Sequence, residues 1–174
     1  MTTRYVKAPQ YPAGPLPKPW IFLAGGIPGC RDWQHEMTEL LLARLQSGTI
    51  FNPRREIENG KFDAATRDEQ ITWEFRRLWD ADILAFWFCR PTLNPTTLFE
   101  FGTHMARRRC NAPDAPVIIP GIDPGYAKEN GLRVQIRLLD PELRISRSVE
   151  ELADATAAAA DRWRDGQKEK GDAA

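Results

Sequence analysis

ILAFWFC, residues 83–89, is followed by the loop RPTLNP (90–95) and then by TTLFEFGTHMARRR (96–109). The first stretch is short, continuous and apolar, with no polar residue alternating through it. A strand has that composition when both faces of its sheet are covered. The last stretch reads as a helix. A covered strand feeding a helix is half of a parallel crossover unit, so the chain reads as α/β.

The same alternation extends in both directions. WIFLAG (20–25) is a second buried strand, ended by the glycine loop GGIPG (25–29). DWQHEMTELLLARLQ (32–46) follows as a helix, with Asp32 as N-cap and Gly48 closing it. TIFNP (49–53) is a short strand and residues 54–66 are polar loop. RDEQITWEFRRLWDAD (67–82) is a helix whose Ile71, Phe75, Leu78 and Trp79 form one apolar stripe. Beyond the central strand, PVIIPGID (116–123) is another buried strand, and VQIRLLD (134–140) or LRIS (143–146) supplies a fifth. A last helix starts at Ser148, where SVEE forms a capping box, and runs to about Arg164.

The first 19 residues carry five prolines and little periodicity. They read as an extended arm that lies on the surface or reaches a neighbouring subunit. The expected organisation is therefore an arm over 1–19, an α/β domain over 20–165 and a flexible tail over 166–174. There is no internal repeat. A single flavodoxin-like domain with a doubly wound, parallel, five-stranded sheet fits the length. Such sheets bind ligands at the carboxyl ends of the strands where strand order reverses, between the strands at 20–25 and 83–89. GGIPG and RPTLNPTT both line that crevice.

Composition narrows the partners. The 174 residues hold 24 Lys+Arg against 24 Asp+Glu, a formal net charge of zero, which argues against duplex DNA or an anionic membrane as partner. A small molecule is the expected ligand. Cys30, Cys89 and Cys110 lack metal-ligand spacing, no run approaches the length of a bilayer span, and the proline-rich start is not a signal peptide. The natural setting is a reducing cytoplasm.

Glu100 has two readings. Thr97-Leu-Phe-Glu100 is a Thr-x-x-Glu capping box, in which Glu100 only reaches back to the cap. The same position, in a first helical turn at a ligand crevice, would favour an ionised carboxylate able to attack an electrophilic sugar carbon. Gly25, Gly26 and Gly29 let backbone approach a ligand, although AGGIPG is neither GxGxxG nor a P-loop. Gln70, Glu74 and Arg77 share a helix face, as a solvated trio or as a contribution to the crevice. Asp80 and Asp82 read as turn residues at the far end of the sheet. Arg54 and Arg55 follow the second strand and could reach a phosphate or carboxylate at the rim. Arg107, Arg108 and Arg109 suit a helix C-terminus. His35 and His104 are single, with no metal partner or triad in reach. Trp33 either packs in the core or stacks on a base.

Taken together, IFLAGGI, DW, NPRRE, QITWEFRRLWDADILAFWF and PTTLFEFG resemble, in order and spacing over roughly residues 20 to 126, the nucleoside 2-deoxyribosyltransferase family, especially its bacterial deoxyribosyltransferase-like branch. The resemblance implies that Glu100, in an EFG matching the family's ELG-like motif, is the nucleophile. It implies that Glu74 is the acidic residue that holds the sugar and supports Glu100. Asn94 stands where transferases carry a base-engaging aspartate, and Phe22 where well-known members carry a tyrosine. Gly25, Gly26 and Trp33 would help position base and sugar. The implied activity is cleavage of the N-glycosidic bond of a 2′-deoxyribonucleoside, by transfer to a free nucleobase or by hydrolysis, without metal or redox cofactor. A homo-oligomer whose sites borrow residues from a neighbour is also implied. Two rivals remain: a nucleoside 5′-monophosphate hydrolase with Arg54 or Arg55 on the phosphate, and a catalytically silent nucleotide-binding module.

Overall fold

The computed structural model describes residues 2–55 and 63–172. Five parallel strands form one sheet: β1 (Thr3–Lys7), β2 (Trp20–Gly25), β3 (Gly48–Asn52), β4 (Ile83–Phe88) and β5 (Val117–Ile122). Their order is β1-β3-β2-β4-β5. Among the described residues, five helices cover the sheet: α1 (Trp33–Arg44), α2 (Ala64–Asp80), α3 (Pro95–Arg109), α4 (Glu129–Leu139) and α5 (Val149–Asp172). From β2 the chain steps outward to β3, then crosses back over β2 to β4. Strand order thus reverses between β2 and β4, as expected for a doubly wound α/β domain.

Every residue of β4 is buried, because its alternate side chains feed two separate cores. Leu84, Phe86 and Phe88 join Phe22, Trp73, Phe101 and Met105 beneath α2, α3 and α4. Ile83, Ala85 and Trp87 join Ile21, Leu23, Trp33 and Leu41 beneath α1 and α5. Period-two alternation inside an uninterrupted apolar run is the signature of a strand covered on both faces. Gly121 belongs to this packing: a Cβ there would lie 2.6 Å from Trp87 Cε3.

The fifth strand is not where the sequence pattern suggested. Residues 134–139 belong to α4, whose Leu132 and Ile136 are buried at helical spacing. Residues 143–146 contribute only an isolated bridge, Gly121 to Ser146. The fifth strand is instead β1, from the proline-rich arm, pairing Thr3 with Gly48 through Lys7 with Asn52. The arm is therefore part of the domain. Val6 and Ala8 are in the core, Trp73 Nε1 donates to Gln10 O at 2.9 Å, and Arg77 stacks on Tyr11. The last helix also exceeds its expected end near Arg164 and continues through Asp172.

α2 begins at Ala64, with Asp63 accepting from Thr66 N at 2.7 Å, earlier than the expected start at Arg67. The middle of the loop expected over 54–66 lies outside the described residues. No helix among the described residues is long and apolar enough to cross a membrane.

Candidate active site

A cavity of about 710 Å³ opens at the carboxyl ends of β2 and β4, between α2 and α3. Its floor is Phe22 and Ala24 of β2 with Gly25 and Gly26; Glu74 projects from α2, and Asn94, Glu100 and His104 come from the α3 side. Both glycines are required by close approach. A Cβ on Gly25 would lie 2.4 Å from Trp87 O, and one on Gly26 would lie 1.8 Å from Asn94 Oδ1.

Asn94 explains how the loop before α3 turns. Its φ of 48° is left-handed, a region asparagine tolerates better than most residues. Its Nδ2 donates to Cys89 O at 3.0 Å and to Thr92 O at 2.9 Å, and its Oδ1 accepts from Thr92 Oγ1 at 3.0 Å. The amide lines the cavity, but its hydrogen bonds are spent on the loop.

α3 then starts with Asn94 at the N-cap and Pro95 at the first position, and its first turn carries no acidic residue. Thr97 is already inside the helix and buried. The Thr97–Glu100 capping box therefore does not form, and Glu100 is no cap. It sits past the first turn, half-buried in the cavity wall, and no hydrogen bond from a described residue reaches it. The expected stabilisation of its ionised form by the helix start is also absent. Burial, then the nearby charge of Glu74, push the Glu100 carboxyl up to about 7. Burial likewise raises Glu74, opposed by a hydrogen bond from Gln70 Nε2 at 2.6 Å.

His104 is fully buried, and its Nδ1 lies 3.1 Å from Arg107 Nη1. A guanidinium only donates, so Nδ1 accepts and the proton sits on Nε2. Burial, then Arg107, lower its pKa to about 4, so the ring is neutral at physiological pH. Glu74, Glu100 and His104 are the ionisable side chains lining the cavity among the described residues; no lysine or arginine lines it.

Three sequence candidates lie elsewhere. Trp33 is fully buried beneath the glycine loop and donates from Nε1 to Gly26 O at 3.0 Å, so it supports the loop and has no face for a base. Arg54 is spent on Asp32 and Gln34, each at 3.0 Å from Nε, and on Arg31 O. Arg55 pairs with Glu69 at 2.6 Å. Neither arginine lines the cavity. Conversely, Ile71, Phe75 and Trp79, read from the sequence as part of one apolar stripe, line the cavity mouth with Phe99. Their helical spacing was legible, but a cavity wall and a core share that spacing.

The fold is that of a doubly wound α/β protein, with a cavity lined by two carboxyls at the strand-order reversal. The sequence matches the family described as nucleoside 2-deoxyribosyltransferase like over residues 18–112, more than half of the chain, and the chain belongs to that family. Among solved structures, a conserved protein from Enterococcus faecalis V583 is similar in fold, with a TM-score of 0.53 and 14% identity, covering 80% of this chain and 97% of that one. No curated protein matches the chain.

Proposed function

We propose that the protein cleaves the N-glycosidic bond of 2′-deoxyribonucleosides through a covalent intermediate on Glu100. The observation that carries this reading is the Glu100 carboxyl itself. It caps nothing, receives no hydrogen bond from a described residue, and lines a cavity beside a second carboxyl, Glu74. Family membership supports the same chemistry.

In this reading an oxygen of Glu100 attacks C1′ from the face opposite the base. The C1′–N bond breaks, its electron pair leaves with the base, and the base takes a proton from water. Charge that develops on the sugar ring faces two carboxylates, an arrangement parallel to that of a retaining glycosidase. Glu74 accepts from a sugar hydroxyl and fixes the ring for attack. The apolar wall of Ile71, Phe75 and Phe99 packs on the base. The deoxyribosyl ester is then opened by a second base, giving transfer, or by water, giving hydrolysis.

The cavity's charge disfavours the monophosphate alternative. A phosphate dianion would meet Glu74 and Glu100 with no arginine or lysine among the described lining residues, while Arg54 and Arg55 are engaged elsewhere. A neutral nucleoside meets no such repulsion.

A second copy of the chain is the partner we propose for the cavity mouth. Phe99 is 77% exposed, Phe75 59% and Ile71 56%, an apolar rim around one opening that a second copy would cover. Light scattering after size exclusion should give a dimer or larger assembly, weakened by Phe99→Asp. Cys30, Cys89 and Cys110 are free thiols, as suits a cytoplasmic protein.

The test is chromatography of a deoxynucleoside incubated with the protein, with and without a different free base. A new nucleoside means transfer, and free base alone means hydrolysis. Turnover that survives in Glu100→Ala, or turnover of 5′-monophosphates alone, would contradict the proposal. Binding without turnover would favour the silent module.

A further inference from the structure

Gln70 lies on α2 one turn before Glu74 and does not line the cavity. Its buried Nε2 donates to Pro53 O at 2.7 Å and to Glu74 Oε1 at 2.6 Å. A carbonyl and a carboxylate both accept, so the amide has one orientation, with its NH₂ group towards them. The cost of that orientation is visible. Gln70 Oε1 is buried and has no hydrogen-bond partner among the described residues. An unpaired buried acceptor is destabilising, a cost that a hydrocarbon of the same size would avoid. The amide provides what a hydrocarbon does not: a donor anchored at the end of β3 and aimed at Glu74.

We propose that Gln70 is a positioning residue that holds Glu74 as an anion beside Glu100 and so leaves the proton on Glu100. The inference rests on the reading of Glu100 as nucleophile. The surroundings of the pair supply no competing charge among the described residues. α2 presents Glu74, and α3 presents Glu100 with the neutral His104. The glycine loop and β2 bring Gly25, Gly26 and Phe22, the loop before α3 brings Thr92 and Asn94, and Pro53 follows the end of β3. Gln70 is the donor that reaches Glu74.

The chemistry follows from this asymmetry. Glu100 attacks only after losing its proton, so the charge on Glu74 sets the pH below which the site idles. Without the Gln70 amide, Glu74 takes up the proton at higher pH and stops repelling charge on Glu100. Glu100 then ionises at lower pH, while a protonated Glu74 grips the sugar less well. Interacting carboxyls titrate as a pair, so the prediction concerns which side chain carries the higher midpoint.

The experiment is a carbon-13 NMR titration of the glutamate side-chain carboxyls in the full-length protein, assigned with Glu74→Gln and Glu100→Gln. In wild type, Glu100 should titrate above Glu74; the reverse order overturns the proposal. In Gln70→Leu, or in Gln70→Met should the leucine variant fail to fold, the Glu100 midpoint should fall by about one pH unit. An unchanged midpoint in a folded variant would mean that Gln70 only ties α2 to β3. Kinetics give a second arm: the acid limb of kcat/KM should move to lower pH while KM rises several-fold. If deoxynucleosides are not turned over at all, the functional reading fails separately, and the titration still decides the role of Gln70.

Discussion

The two faces of the sheet are built from the same apolar alphabet and put it to different uses. Beneath α1 and α5, Trp33, Met37, Leu41 and Leu152 are fully buried, and Ala153 and Ala160 keep the covering helix close to the sheet. Beneath α2 and α3 the layer closes around Trp73 and Phe101 but opens towards the strand ends, where Phe75 and Phe99 are exposed beside two carboxyls. One face is sealed and holds the glycine loop from behind. The other is left open where the strand order reverses. Apolar residues on the sealed face are worth stability; under the proposed function, those on the open face are worth ligand contact.

That contrast can be broken at several points. The largest expected effect is on activity: Glu100→Ala should lower kcat on the order of 10⁴-fold or more while the circular dichroism spectrum and melting transition persist. On the sealed face, Trp33→Ala should cost about 4 kcal/mol of stability in denaturant titration, since it removes a buried indole and its hydrogen bond to Gly26 O. If Trp33→Ala spared stability and mainly raised KM, the assignment of the two faces would be reversed.

Glu100 also couples the open face to pH. Its folded pKa of about 7 lies above its ordinary value of 4.5, so the native state holds the proton more tightly than the unfolded chain. Its contribution to stability is therefore present below about 4.5 and is lost as pH rises through about 7. Glu100→Gln, which stays neutral, should be more stable than wild type at pH 8 by about 2 kcal/mol, with the difference closing towards pH 4. In the same window kcat/KM of the wild type should rise with pH, with a midpoint near 7. The smallest effect belongs to the rim: Phe99→Ala should change stability by less than about 0.5 kcal/mol and raise KM several-fold.

Much of this was legible in the sequence. β4 declared itself because both faces of the sheet are covered, and the position of Glu100 after that strand followed from the reversal of strand order. Phe22, Gly25, Gly26, Glu74 and Asn94 do line one cavity. Other features were masked by equivalences in pattern. The strand TRYVK (3–7) is an edge strand with Val6 alone fully buried, so five nearby prolines dominated its reading. Trp33 follows the glycine loop, but only three-dimensional packing decides whether its ring faces a ligand or the core. Arg54 and Arg55 stand after β3 where a phosphate ligand would be, yet Asp32, Gln34 and Glu69 claim them across the fold. The Thr97–Glu100 box was lost to a stronger start signal, left-handed Asn94 followed by Pro95.

The most direct test of the central claim is to trap the intermediate. The full-length protein would be incubated with a 2′-fluorinated deoxynucleoside, in which fluorine slows breakdown of the glycosyl ester, then denatured and digested for mass spectrometry. One added fluorodeoxyribosyl group is expected, on the peptide containing Glu100, and none on Glu100→Gln. Base release with no adduct, or an adduct on another residue, would contradict the claim.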